Sequence, residues 1–126
     1  MKKTFSKNWK SSKQPRKQRK YLANAPLHIK QKFMRSHLSK ELRLKYKKRS
    51  LGVRKGDNII IMRGQFKKKS GKVDRVDIRR RRVYIEGITT TKKDGSKRPY
   101  PVNPSNLLLV ELNLGDKKRQ KILERK

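Results

Sequence analysis

The sequence predicts a mainly β protein: one small β-barrel, preceded by a basic arm that contains short helices and followed by a short C-terminal helix. Short apolar runs and alternations recur at about ten-residue spacing in the second half of the chain, with turn residues between them, as in small barrels. Hydrophobic residues make up only 31% of the 126 residues. The chain can therefore build one small core, and only where these residues are concentrated.

The arm spans residues 1–50 and carries 18 lysines and arginines against the single acid Glu41. Residues 1–23, in which Trp9 and Tyr21 are isolated aromatics, offer too little apolar surface to offset the ordering entropy, so we expect them to be disordered in the free protein. Residues 24–46 are expected to form two short helices. Pro26 suits the first turn of one helix, and Ser39 can cap the other with Glu41 in its first turn.

The barrel is expected over residues 51–112. Asp94-Gly95 is a strong signal for a hairpin turn, and Ile60 and Ile85 are expected core positions. Prolines from Pro99 onward confine the next segment to an edge or loop. The predicted strands are Asn58–Arg63, Gly71–Ile78, Arg82–Glu86 and Asn106–Leu112.

The C-terminal helix is expected within residues 113–126. Gly115-Asp116 closes the barrel, Asp116 can cap the helix, and Ile122 and Leu123 are the residues expected to dock it.

Several function classes find no support in the sequence. The longest apolar runs have four residues, whereas a membrane-spanning helix needs about 20, so we expect no membrane insertion. The chain has no cysteine and two histidines, His28 and His37, so neither a metal nor a cofactor is expected. No nucleophile elbow, phosphate loop or HExxH motif is present, so we predict that the protein is not an enzyme and has no small-molecule substrate.

The formal net charge of +31 indicates a polyanionic partner. Self-repulsion at that charge opposes compaction, whereas lysine and arginine gain affinity for nucleic acid by releasing the counterions condensed on phosphates. The basic clusters include Arg16–Lys20, Lys67–Lys69 and Arg79–Arg82. Arginine also favours bidentate phosphate contacts and stacking on bases. A solvated charged surface is the alternative for any one cluster, but it explains all of them together poorly.

The segment Val53–Val73, which reads VRKGDNIIIMRGQFKKKSGKV, resembles a KOW motif, a strand–loop–strand unit of SH3-like barrels. Gly56-Asp57 would make the turn into the first strand, and Gly71 would start the second with a positive φ. Phe66, in the lysine-bearing loop, could stack on a base or plug the end of the barrel.

The flanking segments resemble the archaeal and eukaryotic branch of the large-subunit ribosomal protein twenty-four family. They are Asn24-Ala25-Pro26 with His28, Leu38–Arg43 with Tyr46, Tyr84–Gly87, Pro104–Asn106 and Lys121–Arg125. The resemblance implies a cytoplasmic structural constituent of the large ribosomal subunit that binds the 5′ domain of the rRNA. It also implies that the protein helps to nucleate assembly, lies near the nascent-chain exit tunnel and contacts neighbouring ribosomal proteins. Exit-tunnel factors remain open as further partners.

The basic clusters and the resemblance together define the candidate RNA-binding residues. They are Lys13, Arg16, Lys17, Arg19, Lys20, His28, Lys30, Arg35, Arg63, Gln65, Phe66, Lys67, Lys68, Lys69, Lys72, Arg79, Arg80, Arg81, Arg82, Lys97 and Arg98. Lys68 departs from the family pattern, in which glycine is common at this position. A different loop shape or a phosphate contact would explain the lysine.

Two other functions also fit a basic KOW barrel. A transcription elongation factor module is the first alternative, although residues 1–50 could not form the polymerase-binding domain that usually precedes such a barrel. A small chromatin protein that binds duplex DNA is the second, and it explains the basic extensions less well.

Overall fold

The computed structural model describes residues 5–6 and 11–125 of the chain. Trp9 and the other residues of 1–4 and 7–10 lie outside that range, as does Lys126. Helix α1 spans Pro15–Asn24, begins with its proline and buries none of its residues. The sequence predicted no regular element in this segment. The expected disorder of residues 1–23 concerns the free protein in solution and stays a prediction.

The arm contains a strand that the sequence analysis did not predict. Helix α2 (Leu27–Lys30) continues into a 3₁₀ turn (Gln31–Met34), strand β1 (Arg35–Leu38) follows, and helix α3 covers Lys40–Tyr46. The prediction of two short helices is confirmed only in part, because the first is a single turn. The Ser39 hydroxyl accepts a hydrogen bond from the Leu42 backbone N–H, which confirms Ser39 as the cap of α3.

Strand β1 was missed because its residues are mostly polar and its one buried polar residue, Ser36, finds a distant partner. Ser36 is buried and donates its hydroxyl to the Pro104 carbonyl at 2.6 Å. β1 runs antiparallel to β2 (Ser50–Gly52) and parallel to β8 (Leu107–Glu111). The sheet therefore begins inside the arm.

The main sheet has six strands in the order β2-β1-β8-β3-β4-β5. Strand β3 covers Asn58–Ile61, β4 Ser70–Asp77 and β5 Arg82–Ile85. β4 pairs with β3 through its first half and with β5 through its second, and the register shifts between Val73 and Arg75. An isolated bridge joins Val83 to Val102. These features give the small, barrel-like β-domain that the sequence predicted.

A two-stranded hairpin, β6 (Thr89–Thr91) and β7 (Lys97–Pro99), is separate from the main sheet. Its turn contains Asp94-Gly95, which confirms the predicted turn. Hydrogen bonds from the Ser96 hydroxyl and then from its backbone N–H lower the pKa of the Asp94 carboxyl below the ordinary 3.8.

The core fills the space that the main sheet encloses. Ile85 is buried as expected, but Ile60 is only half-buried, because its neighbours Ile59 and Ile61 point inward. An uninterrupted run of isoleucines does not reveal which residues of a strand face the core. The buried apolar side chains of the core are Met34, Leu38, Leu51, Val53, Ile59, Ile61, Val73, Val83, Ile85, Ile88, Val102, Leu107, Leu109 and Leu123.

Gly71 is needed for close packing and does not have the positive φ that we expected. Its φ is outside the left-handed region, whereas Gly56 and Gly64 have φ values of 89° and 101°. A Cβ at Gly71 would lie 2.7 Å from the Cγ2 atom of Ile85 and 3.0 Å from the Glu86 carbonyl oxygen. Any side chain at this position would therefore push β4 and β5 apart.

Helix α4 spans Lys117–Glu124, and the Asp116 side chain accepts a hydrogen bond from the Lys118 backbone N–H, as predicted. That bond is the main cause of the lowered pKa of Asp116, which burial partly opposes and Arg54 reinforces. Leu123 is buried in the core. Ile122, also expected to dock the helix, is instead 41% exposed.

A buried ion pair fixes α4 to the barrel. The Arg119 guanidinium contacts the Asp57 carboxylate through two parallel bonds of 2.5 and 2.7 Å, and both side chains are at most 2% exposed. Asp57 also accepts from the backbone N–H groups of Arg54 and Asn113, and Arg119 donates to the Asn113 and Gly52 carbonyls. The Nε atom of Arg119 has no hydrogen-bond partner among the described residues. Sequence patterns could not indicate this pair, because its members lie 62 positions apart.

Candidate nucleic-acid interface

Most candidate RNA-binding side chains are exposed, and none makes an ion pair within the described residues. Of the candidates only Lys30, Phe66 and Arg81 are half-buried. The salt bridges of the described chain engage the basic side chains of Arg54, Lys55 and Arg119, none of which is in the candidate set. The candidate charges are therefore available to a partner.

The loop between β3 and β4 forms one group of candidate residues. Arg63, Gln65 and Phe66 line a small depression of about 140 Å³ together with Arg82 and Tyr100. Arg82 lies nineteen positions beyond Arg63 in the sequence. The bridge between Val83 and Val102 places Arg82 close to Tyr100, because each is near one end of that bridge in the chain. The fold therefore joins two basic clusters that are separate in the sequence.

Phe66 packs into the end of the barrel. Its ring is half-buried against the core and lies 4.9 Å from the Tyr100 ring, edge to face. The Lys69 ammonium lies 5.2 Å from the centre of the Phe66 ring. The packing role is thus confirmed, and stacking on an RNA base stays a prediction.

Lys68 has the left-handed conformation that glycine adopts most easily, with a φ of 70°. Its backbone N–H donates to the Ile61 carbonyl at 2.7 Å, so the turn is fixed by the strand before it. For a residue with a Cβ this conformation costs roughly 1–2 kcal/mol. The loop therefore keeps the glycine-like shape, and the lysine is tolerated at a cost in backbone energy.

The Arg79–Arg82 cluster lies at the turn between β4 and β5. The Asp77 side chain accepts from the Arg80 backbone N–H at 3.0 Å, and Arg81 has a φ of 55°. Asp77 therefore stabilises the turn, and this structural role explains its carboxylate better than acid–base catalysis would. Lys72, on β4, is exposed, as are Lys97 and Arg98 on the hairpin strand β7.

The remaining candidates lie in the arm. Lys13 precedes α1, and Arg16, Lys17, Arg19 and Lys20 are exposed on that helix. Tyr21 links α1 to the fold, since its ring lies 6.0 Å from the Phe33 ring. The structure thus presents four cations on one helix.

His28, Lys30 and Arg35 follow in α2 and β1, and two of them face a groove. His28 and Arg35 line a groove of about 970 Å³ between the β2 segment, the end of β4 and α4. Sequence reasoning missed its other basic lining residues, although Lys47–Arg49 is a basic run, because only the fold brings these residues around one groove. They are Lys32, Lys48, Arg49, Arg54, Lys55 and Arg119.

The described part of the chain shows no group of three or more His, Asp or Glu side chains that could hold a metal ion. No helix in that part is long and apolar enough to cross a membrane.

Comparison with models of known protein families matches residues 12–126 to one family of ribosomal proteins, described as L26 in eukaryotes and as the archaeal form of L24. The matched range includes residues 12–50 of the arm, the barrel and the C-terminal extension. The family is structural and non-enzymatic.

Proposed function

The chain belongs to this family of large-subunit ribosomal proteins, and from that premise we propose that it binds the 5′ domain of the large-subunit rRNA directly. We further propose that it helps to nucleate assembly of the subunit and lies near the nascent-chain exit tunnel, within reach of exit-tunnel factors. A member of the family is a structural constituent of the large ribosomal subunit in the cytoplasm, where rRNA and other ribosomal proteins are its partners. The family match does not support the elongation-factor alternative.

One observation carries the proposal of direct RNA binding. Every cationic residue of the candidate set lies outside the salt bridges of the described chain, although the sequence offers nine acids. A protein selected only for its own stability would gain from pairing such charges or reducing their number. A phosphate backbone compensates them instead, with release of its condensed counterions.

The placement of the cations favours folded RNA over a straight duplex. They lie on α1, on the β3–β4 loop, on the β4–β5 turn and on the β6–β7 hairpin. Elements that extend from several parts of one small domain can reach separate backbone segments at the same time. Folded rRNA offers such segments around a single point, and its contacts depend on shape and phosphates more than on a base sequence in one groove.

Early assembly fits the same arrangement. Helix α1 buries none of its residues and touches the fold through Tyr21, so contacts between its exposed cations and RNA would add to its stability. Binding that brings several RNA segments against one rigid barrel would restrict the RNA before other proteins join.

Binding of the full chain to a transcribed 5′-domain fragment tests the proposal, with duplex DNA as competitor. If six to ten phosphates are engaged, affinity should fall about a thousand-fold or more between 50 and 200 mM salt, by the rule for duplex DNA. A flat salt response, or equal displacement by duplex DNA, would overturn it.

Two matched triple variants separate a specific interface from general charge. Lys67→Ala/Lys68→Ala/Lys69→Ala removes three exposed lysines from the β3–β4 loop. The control, Lys40→Ala/Lys45→Ala/Lys47→Ala, removes three exposed lysines in and just after α3, which are not candidates. Each triple includes one left-handed residue, Lys68 or Lys47.

The two triples also match in their aromatic contacts, since each includes one lysine beside an aromatic ring. We expect the loop triple to lower the salt slope by about two to three and the control to leave it nearly unchanged. Equal losses in both triples would mean that the affinity reflects net charge alone.

A further inference from the structure

The groove between the arm and α4 is separate from the β3–β4 loop. Its two walls come from residues 28–55 on one side and 113–122 on the other, and Val76 of β4 and Ile78 just after β4 also line it. Within the described chain it shares no lining residue with the depression around Phe66. A ligand of the groove would therefore occupy a second site on the same protein.

The lining of the groove carries unpaired positive charge. Lys32, Arg35 and Arg49 make no salt bridge within the described residues, and Lys48 donates to the Arg125 carbonyl. Asp116 is the one carboxylate among the described lining residues, and Arg54 already pairs with it. The groove therefore selects an anion.

The groove also presents apolar surface between these charges. Ile122 is 41% exposed, and Val76 and Ile78 are half-buried. Aliphatic side chains can contact ribose rings and the faces of bases, while the surrounding cations contact phosphates.

An acidic peptide strand fits the groove less well than RNA does. β2 is an edge strand of the main sheet, so it could in principle pair with an added strand. Arg119 already donates to the Gly52 carbonyl, which engages one of the backbone groups that strand addition would need.

We propose that this groove binds a short single-stranded segment of rRNA, independently of the β3–β4 loop. The proposal rests on the proposed rRNA binding and assigns to the RNA a site that the basic clusters did not reveal. A groove of about 970 Å³ has the size of a ligand pocket, so it can take a few nucleotides but not a duplex. Its described lining has no Phe, Tyr or Trp, so recognition should depend on phosphates and tolerate different base sequences.

The buried Asp57–Arg119 pair, together with the buried Leu123, holds α4 in place as one wall. Arg119 is in the lining, and its partner lies in the turn before β3. The KOW-like segment thus positions the second site through Asp57 while it carries the first site on its loop.

A charge of either sign at one exposed position tests the groove. Ile122→Glu places a negative charge among the lining cations, and Ile122→Lys is the control of similar length, with Ile122→Gln as the neutral reference. We expect Ile122→Glu to lower affinity for the 5′-domain fragment about ten-fold or more at 50 mM salt, and Ile122→Lys to bind at least as tightly as Ile122→Gln. Equal affinity in all three variants would overturn the inference.

The double variant Lys32→Ala/Arg49→Ala tests the groove without touching α4. When this double variant is combined with the loop triple, the fold-losses in RNA affinity should multiply, because the two sites contact different RNA segments. If the wild-type chain fails to bind the fragment at all, the proposed function itself fails. If the wild-type chain binds and the double variant binds with the same affinity, only the proposed RNA site in the groove is refuted.

A photo-crosslinking amino acid at position 122 identifies what occupies the groove in intact subunits. Crosslinks to rRNA are expected. Crosslinks to a protein segment, or none in a subunit that contains the chain, would overturn the proposal.

Discussion

Replacing Arg119 with alanine tests the buried ion pair that holds the C-terminal helix. The substitution leaves the Asp57 carboxylate fully buried without its counter-charge, although the N–H groups of Arg54 and Asn113 still donate to it. Breaking a buried pair by removing one partner costs about 3–5 kcal/mol. The free energy of unfolding of a domain is about 5–15 kcal/mol, so the loss is a large fraction of the total.

Urea unfolding followed by circular dichroism measures this loss. Arg54→Ala is the control, because it removes an arginine whose pair with Asp116 is partly exposed, and we expect a much smaller effect. Arg119→Lys keeps the charge but not the two parallel bonds, so its loss should lie between those of the alanine variants. If Arg119→Ala unfolds at the same urea concentration as Arg54→Ala, the stabilising role assigned to the buried pair is wrong.

The remaining predictions concern the loop, the C-terminal helix and the arginine turn. Lys68→Gly should raise the free energy of unfolding in urea by up to about 1 kcal/mol, because relief of the left-handed conformation is partly offset by backbone entropy. The same substitution should weaken RNA binding. A lower free energy of unfolding would show that Lys68 is not strained. Because the pKa of Asp116 is lowered in the folded state, its contribution to stability is present above its ordinary value of 3.8 and is lost as pH falls through the lower folded value. The protection of the Lys118 amide, measured against its intrinsic exchange rate at the same pH, should therefore fall as pH drops through the lowered pKa of Asp116, and Asp116→Asn should remove this change in protection. Replacing Arg79–Arg82 with alanine should weaken RNA binding and keep the fold. Ile85→Asp should instead unfold the protein, because it buries an unpaired charge. If the arginine variant unfolds, these arginines stabilise the fold and are not an RNA-binding cluster alone.

The strands of the barrel could be predicted from the sequence because local patterns define them. The buried Val83 and Ile85 alternate with residues that are exposed or half-buried, and Asp94-Gly95 marks a turn by its backbone preference alone. The caps Ser39 and Asp116 are equally local, since each acts within three residues of its own position.

What the sequence could not reveal depends on distant partners. Strand β1 has the polar sequence Arg-Ser-His-Leu, and only its neighbours β2 and β8, together with the Pro104 carbonyl, make it a strand. The Asp57–Arg119 pair and the groove depend in the same way on residues that are far apart in the chain. Lys32 and Arg49 were overlooked although each has basic neighbours in the sequence, because only the fold brings them to one groove.

The candidate residues themselves were chosen by charge and by resemblance. The structure shows that they are available, with unpaired charges and mostly exposed side chains, and it groups Arg63 with Arg82. Which of them contact RNA stays a prediction, because availability is a property of this chain alone and contact depends on the shape of the partner.

The measurement that tests rRNA binding most directly is crosslinking in intact cells, with sequencing of the bound nucleic acid and mapping of the crosslinked residues. We expect crosslinks concentrated in the 5′ domain of the large-subunit rRNA, from the β3–β4 loop, the arm and the groove. Crosslinks spread over nascent transcripts, or recovery of DNA in place of rRNA, would contradict it.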